Sequence, residues 1–88
     1  MLKAGDRVKV TKGCQARSIP AHTRMVVCGV TPLGPEYSHQ VKVAFKILNG
    51  FKSGALVSFY ASHINRLSAP CIRFNDGDPT HTIEVVRA

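Results

Sequence analysis

Apolar and polar residues alternate along most of this chain. Arg7-Val8-Lys9-Val10-Thr11-Lys12 places its valines on one face and its polar groups on the other, the period of a half-buried strand. Gly5-Asp6 and Gly13 punctuate its ends. Gln40 to Leu48 alternates over a longer span and is the strongest strand signal. Val41, Val43, Phe45 and Ile47 are expected to face in, and Lys42, Ala44 and Lys46 out. Arg24 to Thr31 is almost continuously apolar, which predicts a strand covered on both faces, with Gly29 marking a bulge or sharp bend. Ala55 to Tyr60 predicts a fourth strand.

The connections follow from turn chemistry. Residues 14–22 read as a loop in which Ile19 tucks into the core and Pro20 opposes a helix. Residues 32–39 hold two prolines and a glycine and predict an irregular loop. Asn49-Gly50 is a hairpin signal, because both residues tolerate positive φ. Ser62 to Asn65 fits one helical turn capped by Ser62, and Arg66-Leu67 then starts a short fifth strand. Cys71-Ile72-Arg73-Phe74 and Thr82-Ile83-Glu84-Val85-Val86 flank the turn-rich Asn75 to Pro79. They predict a C-terminal β-hairpin packed on the preceding unit.

The order of these elements resembles an SH3-like small barrel. Gly5-Asp6-Arg7-Val8-Lys9-Val10-Thr11-Lys12-Gly13 also resembles the first half of a KOW-type motif. The second half departs: where that family usually has glycines before its second strand, this chain has Ala21, His22 and Met25. The resemblance implies an all-β, SH3-like five-stranded barrel over residues 1–67. Residues 68–88 are then a C-terminal β-hairpin extension, within one domain overall. KOW modules contact RNA or neighbouring proteins, so a nucleic-acid or ribonucleoprotein contact is the function implied. The outline is similar as well to small barrels that dock as subunits of photosynthetic complexes.

Composition is consistent with a globular chain: 88 residues, 44% hydrophobic and 19% charged. A chain this short has a thin core and little room for a deep catalytic cleft. Charge changes the picture more. Twelve Lys and Arg face five Asp and Glu, a net charge of +7. Residues 1–35 carry Lys3, Arg7, Lys9, Lys12, Arg17 and Arg24 against Asp6 among their strands and first loop. Asp76, Asp78 and Glu84 are balanced only by Arg87 in residues 75–88. A basic body suits a polyanion or an acidic protein surface.

The candidate binding residues are therefore Arg7, Lys9, Lys42 and Lys46 on outward strand positions, extended by Lys12, Arg17 and Arg24. Cations of this kind position a phosphate backbone without reading sequence. Tyr37, Phe51 and Lys52 are candidate loop contacts, the two aromatic rings as stacking platforms. Partners expected on this basis are RNA or DNA. The rival is an acidic protein surface, with the chain a docking or accessory subunit of a larger assembly, a virus particle or phage-encoded regulator included. An added hairpin favours that rival by offering an edge for strand addition.

Other chemistry has little support in the sequence. Cys14, Cys28, Cys71 and four histidines include no close pair with metal-ligand spacing, so neither metal nor cofactor is expected. Cys28 reads as a small buried hydrophobe. Asp76 and Asp78 read as turn residues, lacking the later glutamate of a calcium loop. No nucleophile elbow, phosphate loop or dinucleotide fingerprint occurs, and the expectation is not an enzyme. Three widely spaced cysteines, no apolar leader and no span of about 20 apolar residues predict a cytoplasmic, non-membrane chain.

Overall fold

In the computed structural model, which describes residues 1–34 and 40–88, six strands follow one another. They are β1 (Arg7–Lys12), β2 (Arg24–Pro32), β3 (Val41–Ile47), β4 (Leu56–Ala61), β5 (Cys71–Asn75) and β6 (Thr82–Arg87). Every pairing is antiparallel, and the order β1-β2-β3-β4-β5-β6 closes on itself. Short 3-10 turns occupy Gln15–Arg17, between β1 and β2, and Ile64–Ser68, between β4 and β5.

The barrel thus has six strands rather than the expected five. The C-terminal hairpin is not an appendage. Its second strand closes the barrel by pairing with β1, Val8 opposite Arg87 and Val10 opposite Val85. The fifth strand expected at Arg66-Leu67 is absent, because those residues complete the 3-10 turn. That turn is capped by His63, whose side chain accepts from the Asn65 N–H at 3.1 Å, not by Ser62. Leu67 projects from it into the core, fully buried.

Alternation carried by each strand fills the interior. Val8 and Val10, Met25 and Val27, Val41, Val43, Phe45 and Ile47, Val57 and Phe59, Ile72 and Phe74, and Ile83 and Val85 are all buried. Phe45 is central, its ring edge-on to Phe59 at 6.3 Å and to Phe74 at 5.4 Å between centroids, the geometry favoured by the ring quadrupole. Ile19 does reach the core from the β1–β2 loop. Among the described residues, every buried side-chain polar atom has a hydrogen-bond partner.

Two irregularities keep the alternation in phase. The β2–β3 register shifts between Val27, opposite Phe45, and Gly29, opposite Ala44, so Cys28 is an extra residue. This bulge returns Val30 to the inner side, opposite Val43, and leaves Cys28 exposed. The expectation of a buried Cys28 is corrected by it. A second shift between Val10 and Lys12 leaves Thr11 outside, where its hydroxyl donates to the Glu84 carbonyl at 3.2 Å.

Gly13 is held by close approach. A Cβ there would run into the Ile19 carbonyl oxygen and lie 2.9 Å from the Ala21 nitrogen. The loop turns back on itself at this point, with the Cys14 N–H donating to Ile19 O at 2.8 Å.

Replacing Phe45 with alanine is expected to cost about 3–5 kcal/mol in urea unfolding, through lost transfer energy and the cavity left. A loss under about 1 kcal/mol contradicts a central role for this ring. Gly13→Ala is expected to cost about 1–3 kcal/mol, because backbone must shift to admit the methyl group.

Candidate functional site

Inward packing forces the charged residues of β1, β2 and β3 outward, and strand register decides which become neighbours. Lys9 lies directly opposite Arg24. Arg7 lies opposite Val26, Val26 opposite Lys46, and Lys46 opposite Leu56. Arg24 is two residues from Val26 and so sits diagonal to both Arg7 and Lys46. Diagonal side chains on adjacent strands are roughly 7–8 Å apart at their Cα atoms, within reach of long side chains. Arg7, Lys9, Arg24 and Lys46 therefore form one cluster on three adjacent strands. A shallow depression of about 210 Å³ lies among Arg7, Lys9, Arg24, Leu48 and Ala88.

The described Asp and Glu side chains pair with other groups. Asp6 pairs with Lys3 at 3.7 Å. Glu84 lies between Lys12 at 3.9 Å and Arg73 at 4.0 Å. Asp76 and Asp78 face the two ring nitrogens of His81 at 3.2 and 3.8 Å. Glu84, two residues from Val86, sits diagonal to Lys9 but is shared by Lys12 and Arg73, and the four cations of the cluster have no ion-pair partner among the described residues. Like charges directly opposite on a sheet repel, so the Lys9–Arg24 pair carries a cross-strand cost with no ion-pair partner to offset it among the described residues.

Not all candidate residues converge. Lys12 is drawn to Glu84, on the β6 side of β1. Lys42 stands four residues from Lys46 along β3, roughly 13 Å away at strand rise, beside Thr31 and Tyr60. Arg17 folds over the barrel end, its guanidinium carbon 5.7 Å from the centre of the Phe59 ring. The Lys52 ammonium donates to the Arg17 carbonyl at 2.8 Å, tying the β3–β4 turn to the β1–β2 loop. Tyr37 lies outside the described residues.

Phe51 differs from the other described aromatic residues in being wholly exposed, at 100%. It sits at the tip of the β3–β4 turn. That turn is fastened to the Arg24 end of the cluster by Asn49, whose Oδ1 accepts from the Arg24 backbone N–H at 2.7 Å and whose Nδ2 donates to His22 O at 3.4 Å. A narrow groove runs between Ile19 and Pro20 on one side and Gly50, Phe51 and Lys52 on the other. The anchoring role of Asn49 was not read from sequence, where Asn-Gly signalled only a turn.

A surface depression of about 560 Å³ lies across β5 and β6 and is lined by Arg66, Arg73, Glu84, Asn75 and Thr82. Glu84 offsets Arg73 there, while Arg66 has no ion-pair partner among the described residues. At its rim the β5–β6 loop is held by side-chain turns. Asn75 Oδ1 accepts from Gly77 N–H, Asp76 Oδ1 from Asp78 N–H, and Asp78 Oδ1 from both Thr80 N–H and Oγ1. The Thr80 bonds hold the Asp78 carboxyl below its usual range. This contribution is present at neutral pH and is lost as pH falls through the depressed value.

Among the described residues no three His, Cys, Asp or Glu side chains gather into a cation site. No helix among them is long and apolar enough to cross a membrane. The chain matches no family model, and neither curated proteins nor solved structures show a significant similarity to it.

Arg24→Gln is expected to stabilise the fold by about 0.2–1 kcal/mol at low ionic strength, by removing the cross-strand repulsion with Lys9. The gain is expected to vanish near 1 M salt, where screening acts over about 3 Å. Urea titrations at the two salt concentrations measure both. A destabilised variant at low salt means that Lys9 and Arg24 do not repel as their register requires.

Proposed function

We propose that this chain is a non-enzymatic binding module that holds the phosphate backbone of a nucleic acid on the outer face of β1, β2 and β3. The observation that carries this reading is the clustering of Arg7, Lys9, Arg24 and Lys46 with no ion-pair partner among the described residues. Their role is electrostatic positioning. Each cation that neutralises a phosphate releases a counterion, so affinity falls steeply with salt and carries no sequence preference of its own.

We also read the barrel as SH3-like. A long β1–β2 loop and a 3-10 turn before β5 support that reading, as does the KOW-type resemblance of residues 5–13. An acidic protein surface is the competing partner. Its structural argument was a free edge on the C-terminal hairpin; β6 is paired along its length with β1, while β5 meets β4 only at Asn75, opposite Tyr60.

A salt titration with single- and double-stranded nucleic acid tests the proposal. With four phosphate contacts the log–log slope is expected at about −3 for single strands and −3.6 for duplex. Arg24→Glu/Lys46→Glu is expected to lower low-salt affinity at least tenfold and roughly halve the slope. Lys42→Glu, on the same strand but outside the cluster, is expected to change affinity much less. No binding at low salt overturns the proposal. So does polyglutamate of matched charge binding as tightly as nucleic acid, which transfers the face to an acidic protein.

A further inference from the structure

Phe51 is a large apolar ring with no contact that shields it from water, while the other three phenylalanines, Phe45, Phe59 and Phe74, are fully buried. An isolated exposed apolar residue is common on protein surfaces and means little alone. Its setting gives it meaning. The turn that carries it is pinned at three places: Asn49 to Arg24 N–H, Asn49 to His22 O, and Lys52 to Arg17 O. The ring is thus presented from a fastened loop, and it stands at the Arg24 end of the cationic cluster. Two further cations, Arg17 and Lys52, lie behind it in the same pair of loops.

A ring held beside a row of cations matches the chemistry of an unpaired nucleotide. The phosphate meets the cations, and the base presents a flat apolar face of its own. Neither an acidic peptide nor a free polyphosphate carries a planar ring beside every negative charge. In a duplex, the bases are stacked on one another and turn only their edges outward. A base face is available to a side chain only where the strand is unstacked.

Resting on the nucleic-acid reading above, we propose that the ligand of this face is a single strand, and that Phe51 is its base-stacking platform. Arg7, Lys9, Arg24 and Lys46 track the backbone, and the base that passes the β3–β4 turn lies on the Phe51 ring. The geometry is tolerant of base identity, because every base has such a face. The groove between Pro20 and Phe51 bounds the position at its far side.

The test uses the full chain and three probes of equal length, about 12 nucleotides: oligothymidylate, an abasic strand with the same sugar–phosphate backbone, and a duplex. Binding is read by fluorescence anisotropy over a salt series. Phe51→Ala removes no core contact and leaves the fold intact. It is expected to weaken oligothymidylate binding roughly fivefold to hundredfold, leave abasic binding unchanged and leave the salt slope unchanged. Phe51→Trp is expected to restore or tighten binding. Tighter binding to the duplex than to the single strand, with Phe51→Ala abolishing the difference, overturns the proposal by making the ring a wedge between paired bases. Equal loss on the abasic strand, or no loss on either, overturns it too. Salt-dependent binding that ignores Phe51 leaves the cationic face standing and removes only the stacking role. Absence of salt-dependent binding to every probe removes both.

Discussion

The ladder between β1 and β6 is the constraint on which the other features depend. It joins segments far apart in the chain: the Thr11 hydroxyl reaches a carbonyl 73 residues away. Before it forms, β1 and β6 are two free edges, and the apolar side of a curled sheet is open along one line. Its formation removes both edges and encloses Val8, Val10, Ile83 and Val85. A chain of 88 residues has little apolar surface to spare, so full enclosure is how so small a core becomes dry. Once the interior is dry, a one-residue slip in any strand but the uncharged β4 would bury a charge. The cations of β1, β2 and β3 are therefore held outside by the same packing that holds the valines inside.

Closure also accounts for the two bulges. A strand that curves around a small barrel loses phase with its neighbour, and an extra residue restores it. Cys28 does this on β2, and Thr11 on β1. Both extra residues point to solvent, and each of their strands continues with its apolar residues turned inward or its last charge turned out.

The parts of this architecture set by local pattern were legible in the sequence. The inward set Val41, Val43, Phe45 and Ile47, the outward lysines of β3, the anchoring of Ile19 and the irregularity at Gly29 follow from side-chain alternation and from turn and bulge chemistry. Strand count was not legible in the same way. Cys71–Phe74 and Thr82–Val86 announce a hairpin, but nothing in their own residues says that β6 will find β1. The burial of Cys28 was misread because an apolar run hides which residue is the supernumerary one. Arg66-Leu67 was misread because one buried leucine serves a turn as well as it serves a strand.

The candidate site divides along the same line. Outward placement of Arg7, Lys9 and Lys46 follows from their strands alone. Their adjacency does not, since it needs the registers of β1 with β2 and of β2 with β3. The diversion of Lys12 to Glu84 and of Lys52 to a carbonyl is tertiary too. Charge counting treats all of these cations alike, and only the partners that folding supplies separate the free from the engaged.

The seam between β4 and β5 is the sparse one in the barrel. The two strands share a single register pair, Tyr60 opposite Asn75, and elsewhere the 3-10 turn Ile64–Ser68 bridges the gap, with the Arg87 guanidinium fastened to the Leu67 and Ala69 carbonyls. In a ring of six staves this seam is diametrically across from the one between β1 and β2, where Lys9 meets Arg24. The ladder with fewest register pairs is thereby placed on the far wall. The wall that carries the cations is laddered on both sides of β1 and β2, so its side chains stand on a backbone fixed in advance, and the binding proposed for it would cost little ordering entropy.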